Sequence, residues 1–216
     1  MAKLTAELVG LSLCDQQNYP VLRDLGQGCR EVGIGEPGNF SFVLKNVPYG
    51  EVYRELERTQ DYNLKMLDGA LIQVMYRFRD NQIEAHRLAF FPSPFLEEFQ
   101  NNPEVYLDDE IYAEVIKRNI VPFPLRFDYD CRVGVAVDVD HPKSHLTLGQ
   151  YKNCRIPVSS PMTPYHFISF ILGSFYNTAY RRYSRQISAF TQAFDTSITA
   201  RERQLVHVQV PESSTR

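Results

Sequence analysis

The segment LRFDYDCRVGVAVDVDHPKSHLTLGQYKNCR, residues 125–155, contains the pattern that decides the predicted fold. Apolar and polar residues alternate over 125–131 and again over 135–140, which is the period of half-buried strands. The three residues between these runs end in Gly134, and glycine readily takes the left-handed conformation that closes three-residue hairpin loops. The sequence therefore predicts a β-hairpin, with Phe127 opposite Val139 on its apolar face.

The predicted register places two aspartates opposite each other on the polar face of this hairpin. Asp128 would face Asp138, and Arg126 would face Asp140. Like charges at directly opposite positions destabilise a sheet, so a compensating group is expected. Three compensating groups stay open: a hard divalent cation, a proton on one carboxylate, or one of the arginines Arg126, Arg132 and Arg155.

The same segment supplies the residues of a candidate polar site. Carboxylates and histidines transfer protons and bind Mg²⁺, Mn²⁺ or Zn²⁺, and basic side chains hold phosphates. The candidate catalytic residues are Asp128, Asp138, Asp140, His145 and, as the less favoured histidine, His141. The three aspartates are also the candidate metal ligands. The candidate substrate-binding residues are Arg126, Lys143, Thr147 and Arg155. The alternative interpretation is a solvated polar face crossed by ordinary salt bridges, which is common in antiparallel sheets.

Length and composition indicate one globular domain. We expect residues 1–39 to form an N-terminal segment with a glycine-rich loop, 40–195 the core, and 196–216 a last strand and a tail. The net charge of −3 gives no overall signature of a polyanion-binding protein, so any nucleic-acid contact requires a local basic patch. The four cysteines lack CxxC spacing, which favours reduced thiols in the cytoplasm. No apolar run approaches ~18 residues, so no membrane association is expected.

The strongest helical signal starts at Thr163-Pro164, a capping hydroxyl followed by proline. Apolar residues keep three/four spacing from there to Phe194, which predicts one helix of ~45 Å across the sheet. Three arginines on its exposed side form a basic cluster, either a solvated face or a phosphate-contacting surface: Arg181, Arg182 and Arg185. The fold class expected is α+β, a mainly antiparallel twisted sheet with this long C-terminal helix packed across one face.

Other elements follow from local signals. An amphipathic helix is predicted over 49–60, and a long hairpin over 71–91 closed by Asp80-Asn81. Further predictions are a strand over 40–47, helices over 95–100 and 108–117, and a last strand over 205–210. Gly33, Gly35 and Gly38 match the GxGxxG spacing of dinucleotide-binding loops, but Pro37 and the following strand replace the helix that a pyrophosphate needs. No nucleotide cofactor is expected.

Five stretches together carry a resemblance to a known family. They are HRLAFFPSP (86–94), IVPFPLRFDYD (120–130), DHPKSHLTLGQ (140–150), CRIPVSSPMT (154–163) and FISFILGSFYN (167–177). This chain resembles, over roughly residues 70–185, an uncharacterised bacterial family described as domain of unknown function 2290. The family implies no established catalytic residues. The order RFDYD…DHPKSH is also similar to a short pattern in small toxins of bacterial toxin–antitoxin pairs, which implies action on nucleic acid.

Three functions are compatible with these residues. The leading expectation is a cytoplasmic toxin- or defence-like protein that binds or acts on RNA or DNA, as a metal-assisted nuclease. The second is a non-catalytic module that docks a protein partner such as an antitoxin, and the third is a hydrolase of small phosphorylated metabolites. An enzyme requires carboxylates and a histidine that converge in a cleft. A docking module predicts aspartates neutralised by arginines and an exposed apolar patch elsewhere.

Overall fold

The computed structural model describes residues 1–34, 47–95, 122–151 and 153–213. The predicted strand over 40–47 and the predicted helices over 95–100 and 108–117 lie almost entirely outside these ranges. Gly35 and Gly38 of the glycine-rich loop also lie outside them.

The described residues form nine strands, which pair into one sheet. The strands are β1 (Cys14–Gln17), β2 (Val21–Gly26), β3 (Cys29–Gly33), β4 (Leu64–Met66), β5 (Leu71–Arg79), β6 (Gln82–Phe91), β7 (Leu125–Asp130), β8 (Ser144–Leu148) and β9 (Ile156–Pro157). Their order is β1-β4-β5-β6-β7-β8-β9, and β3 joins the sheet by pairing with both β2 and β5. Every pair of neighbouring strands is antiparallel, as predicted for the fold class.

Four α-helices complete the described part of the chain. They are α1 (Ala2–Gly10), α2 (Tyr49–Arg58), α3 (Pro164–Phe175) and α4 (Asn177–Tyr183), with short 3-10 turns at Ser184–Gln186 and Glu202–Gln204. Helix α2 confirms the predicted amphipathic helix, and the Thr163 hydroxyl caps α3 by accepting the amide hydrogen of His166. Among these described helices, none has the length and apolar character needed to cross a membrane.

The β5–β6 hairpin confirms the prediction made from its turn. Asp80 and Asn81 have φ values of 49° and 66°, and two consecutive left-handed residues close a tight hairpin turn. Asx residues tolerate this conformation better than most others. The pairing then runs from Arg79–Gln82 to Leu71–Phe91, so the local turn chemistry fixes the register of the two longest strands.

Alternation along the strands gives the sheet two faces with different partners. On one face, Leu88 of β6 and Phe127 of β7 pack in the main core beneath Phe167 and Ile171 of α3. On the other face, a smaller core joins α2 to the ends of β5 and β6. Its buried members are Val52, Tyr53, Leu56, Tyr62, Leu71, Ala89 and Phe91. The remainder of this second face, over β6, β7 and β8, carries polar residues.

The prediction of one long C-terminal helix is wrong, because the helix breaks at Tyr176. This residue has φ −132° and ψ 52°, which separates α3 from α4. Its side chain is buried, and its hydroxyl donates a 2.6 Å hydrogen bond to Oδ2 of Asp68, which is also buried. A periodic apolar pattern does not reveal this contact, which joins positions 108 residues apart.

The predicted hairpin of 125–140 is also wrong. Strand β7 pairs with β6 on one side and with β8 on the other, so Asp128 lies opposite His145 and not opposite Asp138. Residues 135–140 form a turn-rich connection, in which Val139 has a φ of 72°. Strand β8 places Leu146 and Leu148 opposite Phe127 and Leu125 on the core face. This arrangement buries more apolar surface than the connection could, since Val133 and Val137 are exposed.

The C-terminal segment returns to the sheet and to this connection. Val208 forms a single parallel bridge with Val158, where the sequence predicts a strand over 205–210. The carboxylate of Glu202 accepts amide hydrogens from Val139 and Thr199 at 3.3 and 2.9 Å. The connection between β7 and β8 is therefore anchored by hydrogen bonds to the C-terminal segment, about sixty positions later in the chain.

Candidate functional site

The polar face of the sheet aligns side chains from three neighbouring strands. Arg87 of β6 lies opposite Asp128 of β7, and Asp128 lies opposite His145 of β8. Two pairs further along β7 and β8, Arg126 lies opposite Thr147. Directly opposite residues in antiparallel strands point to the same side of a sheet, so these five side chains share one surface.

This surface forms the floor of a cavity of about 720 Å³. Its walls come from the β7–β8 connection and the β8–β9 turn. Seven of the residues singled out from the sequence line it: Arg126, Asp128, His141, Lys143, His145, Thr147 and Arg155. Asp138 and Asp140 are exposed and do not line it. The structure therefore brings most of the candidate residues together, through a different strand pairing from the one predicted.

Asp128 is held between two arginines. Arg126 Nε lies 2.5 Å from Asp128 Oδ2, and Arg87 Nε lies 3.2 Å from Asp128 Oδ1. Burial alone would raise the pKa of the Asp128 carboxyl, but the charges of Arg126 and Arg87 outweigh it and lower this pKa below its ordinary value. The carboxylate is thus ionised, and its oxygens are occupied by hydrogen bonds. It is suited to positioning the two guanidinium groups and is a poor proton donor.

His145 lies beside this carboxylate in a fixed tautomer. Its Nδ1 is 2.9 Å from the carbonyl oxygen of Pro142, and because a carbonyl only accepts, Nδ1 carries the hydrogen. The other nitrogen, Nε2, lies 3.8 Å from Asp128 Oδ2. Burial lowers the pKa of His145, and the charge of Asp128 opposes that effect only in part. At neutral pH the ring is therefore uncharged, with a lone pair on Nε2 able to accept a proton.

His141 is placed by the connection that precedes β8. Its Nδ1 lies 2.8 Å from the carbonyl oxygen of Val135, which sets its tautomer in the same way. The rings of His141 and His145 are 5.0 Å apart between centroids. Backbone hydrogen bonds between Val137 and His141, at 2.7 and 3.0 Å, hold this part of the wall.

Positive charge dominates the cavity. Among the described residues, six permanently cationic side chains and two carboxylates line it: Arg77, Arg87, Arg126, Arg132, Lys143 and Arg155, with Asp128 and Asp130. Arg132 pairs with Asp130 at 2.5 Å, and Arg77 pairs with the buried Glu31 at 3.0 Å. When Glu31 is counted as well, the described part of the chain places six cations against three carboxylates here, an excess of three positive charges. Lys143 and Arg155 have no carboxylate partner within the described ranges.

Asp138 and Asp140 are separate from this cluster. Asp138 accepts a 2.6 Å hydrogen bond from the Thr199 hydroxyl and pairs with Arg201 at 3.1 Å, both in the C-terminal segment. The predicted like-charge pair of Asp128 and Asp138 is therefore wrong, and arginines neutralise each of the two carboxylates separately. In the part of the chain that the structure describes, no group of three or more His, Cys, Asp or Glu side chains is arranged to hold a metal ion.

Sequence reasoning missed Arg87 and Tyr151 as parts of the site. Arg87 pairs with Asp128 only because β6 neighbours β7, and 33 residues separate these strands in the chain. Tyr151 lies in the β8–β9 turn on the cavity wall, and its side chain is 77% exposed. Arg87 alternates with buried residues along β6, so a correct choice of neighbouring strands would have placed it on the polar face.

The fold and the site define an α+β protein whose antiparallel sheet carries a cationic cavity on its polar face. The chain belongs to the family described as an uncharacterised conserved protein, DUF2290, whose match covers residues 13–210. This match extends well beyond the 70–185 expected from the sequence motifs. Searches of the curated proteins and of the solved structures give no significant match.

Proposed function

We propose that the protein binds nucleic acid through this cavity and acts on its phosphodiester backbone. The observation that carries the proposal is the excess positive charge inside the cavity of a chain whose net charge is −3. Phosphate binding to proteins is dominated by such local basic groups. A volume of about 720 Å³ is within the range of small-ligand sites and can hold one or two nucleotides of a longer chain.

The lining residues have separate roles in this proposal. Lys143 and Arg155 contact phosphate oxygens, since neither is engaged with a carboxylate among the described residues. Arg126 contributes the guanidinium hydrogens that Asp128 leaves unused, and the Thr147 hydroxyl opposite Arg126 donates a further hydrogen bond. Asp128 is a positioning residue, because it acts through Arg126 and Arg87.

His145 is the proton acceptor of the proposed reaction. Its Nε2 takes a proton from a water molecule as the water oxygen forms a bond to phosphorus, and the bond from phosphorus to the leaving oxygen breaks. The leaving oxygen takes a proton from solvent, and His145 later returns its own proton to solvent. The cationic side chains stabilise the charge that develops on the phosphoryl oxygens. The metal-assisted variant expected from the three aspartates has no support from their positions, since Asp128 and Asp138 are bound to different groups.

Binding is tested by fluorescence anisotropy with short labelled RNA and DNA at two salt concentrations. We expect Lys143→Gln and Arg155→Gln each to weaken binding about tenfold and to reduce its salt dependence by about one charge. Arg181→Gln is the matched control, because Arg181 lies in α4 and is not among the residues that line the cavity. This variant should bind as the wild type does. Loss of binding in Arg181→Gln alone would move the contact to α4 and contradict the proposal.

Cleavage is tested with the same oligonucleotides, separated by length after incubation. His145→Gln should abolish cleavage and leave binding within about threefold, because glutamine removes the proton acceptor without altering the net charge. Equal cleavage by the variant and the wild type would rule out His145 as the proton acceptor. Parallel reactions with Mg²⁺, Mn²⁺ or Zn²⁺ and with a chelator would show whether a metal takes part.

The toxin- or defence-like setting is part of the proposal, and it is supported only by the RFDYD…DHPKSH pattern. Induced expression in a bacterial host tests it. A toxin-like activity predicts growth arrest with the wild type and normal growth with His145→Gln at equal protein levels. Equal growth with both would remove this setting and leave the binding proposal intact.

A second candidate function is a protein-interaction module, and strand β2 is the observation that favours it. Within the described residues β2 pairs only with β3, and its apolar residues Val21, Leu22 and Leu25 are exposed. An exposed edge strand with apolar side chains is suited to pairing with a strand of another protein, such as an antitoxin. A partner held by this edge would be lost in Leu22→Asp and kept in Lys143→Gln, the reverse of the nucleic-acid result.

A further inference from the structure

Tyr151 stands at the wall of the cationic cavity as an exposed aromatic side chain. It belongs to the turn between β8 and β9, and the same cavity is lined by Lys143 and Arg155. With 77% of its surface accessible, the side chain buries little apolar area, so the core does not explain its presence. An exposed tyrosine that lines the same cavity as cationic side chains is the combination found where proteins bind single-stranded nucleic acid.

The ring also lies against the backbone of the turn. Gly149 has a φ of 61°, and a Cβ at this residue would lie 3.4 Å from Cδ2 of Tyr151 and 4.0 Å from Cβ of Phe123. The tyrosine ring thus lies against the position that a side chain would occupy at residue 149. The amide of Gly149 donates to the Pro124 carbonyl at 2.6 Å, and the Tyr151 carbonyl accepts from Cys154. A ring in contact with the backbone on one side has less conformational freedom to lose when a ligand stacks on it.

We propose that Tyr151 stacks on an unpaired base while Lys143 and Arg155 hold the adjoining phosphates. The ligand of the cavity is then single-stranded nucleic acid, because the bases of a duplex are stacked on each other and cannot lie on a protein ring. This inference rests on the proposed function, and it adds strand selectivity and a base-contacting residue to it. It does not depend on whether His145 transfers a proton.

The test uses the intrinsic absence of tryptophan from the sequence. Tyr151→Trp introduces one tryptophan at the cavity wall, and its emission should be quenched when a short single-stranded oligonucleotide is added, because a stacked base quenches indole fluorescence. Tyr19→Trp is the matched control: Tyr19 is also exposed, at 51%, but lies outside the cavity lining, and its emission should not change.

Affinity gives the second readout. Tyr151→Ala should weaken single-strand binding about tenfold, which is typical for the loss of one stacked base, and Tyr151→Phe should bind as the wild type does. A duplex of the same sequence should bind weakly to all three proteins. Equal affinity of Tyr151→Ala and wild type, or equal binding of duplex and single strand, would overturn this inference while leaving the proposed function in place.

A free mononucleotide and inorganic pyrophosphate distinguish failure of this inference from failure of the proposed function. If no nucleic acid binds the wild type at all, the proposed function itself fails. If a free mononucleotide quenches the Tyr151→Trp emission with the same affinity as the oligonucleotide, the ligand is a small nucleotide and the single-strand assignment is overturned. Inorganic pyrophosphate should compete without quenching, since it carries phosphates and no base.

Discussion

Nε2 of His145 lies 3.8 Å from Oδ2 of Asp128, with the two residues directly opposite in the β7–β8 pair. Asp128 is ionised, and His145 is neutral at pH 7 because burial lowers its pKa. The carboxylate partly offsets that effect, so the two residues form a coupled pair in which one charge tunes the proton affinity of the other.

The coupling can be measured by NMR titration of the histidine ring protons. We expect His145 to titrate below its ordinary value of 6.5, and Asp128→Asn to lower the midpoint further, because the variant removes a charge that favours the protonated ring. His145→Gln identifies the signal, and Asp138→Asn should leave the midpoint unchanged. A higher midpoint in Asp128→Asn would contradict the predicted coupling.

Asp128 and Asp138 should differ sharply in their effects on stability. Asp128→Asn leaves Arg126 and Arg87 without their carboxylate in a partly buried site, and we expect a loss of ~2–4 kcal/mol in the free energy of unfolding. Asp138→Asn acts on an exposed ion pair, whose side chains are 38% and 74% accessible, and should cost below ~1 kcal/mol. Urea denaturation of the two variants and the wild type checks both values, and a larger loss in Asp138→Asn would reverse the assignment.

His86 predicts a pH dependence of stability. The imidazole is buried, its Nε2 accepts the amide hydrogen of Met162 at 3.1 Å, and burial lowers its pKa from 6.5 to about 4. The unfolded chain binds the proton more tightly than the folded chain does, so this contribution is present above pH 6.5 and is lost as the pH falls from 6.5 toward 4. His86 alone should account for ~2 kcal/mol of the stability lost between pH 7 and pH 5.

Denaturation curves of the wild type and His86→Gln at both pH values isolate this effect. Glutamine can accept from Met162 and does not titrate, so the variant should lose less stability than the wild type on acidification. Identical pH dependence in the two proteins would show that His86 does not carry the effect.

Tyr176→Phe tests the contact made at the residue where the C-terminal helix breaks. The substitution removes the hydroxyl that donates to Asp68 and leaves a buried carboxyl with one hydrogen bond fewer, so we expect destabilisation of ~1–3 kcal/mol. Tyr180→Phe is the control, because Tyr180 is 36% exposed and should change stability by less than ~0.5 kcal/mol. Equal effects of the two substitutions in thermal melts would mean that the Asp68 contact contributes little.

The contrast between the two hairpins shows which parts of the fold the sequence could predict. The β5–β6 hairpin depends on Asp80 and Asn81, adjacent residues whose own chemistry favours the turn. The pairing of β7 with β8 depends on Leu146 and Leu148 covering the core, and on Val139 in a left-handed conformation that β-branched residues seldom adopt. Alternation along β7 identified a strand and its two faces, but it contains no information about the neighbouring strand.

The residues of the site also divide into those that local sequence could predict and those that depend on tertiary pairing. His145 and Lys143 could be singled out because titratable residues are concentrated near them in the sequence. Arg87 depends on the position of β6, and Asp138 depends on Thr199 and Arg201, which lie more than sixty residues away in the chain. Residue types near a strand therefore suggested the chemistry, and tertiary pairing decided which of them share the cavity.

The attachment of Glu202 to Val139 has a consequence for how the protein is made. The wall that carries His141 and Lys143 is hydrogen-bonded to Glu202, which is synthesised tens of residues after the strands of the sheet. At 5–20 residues per second, roughly, synthesis of that interval takes several seconds. During this time the sheet can form before Glu202 binds the connection, so the wall of the cavity is complete only after the last segment has docked.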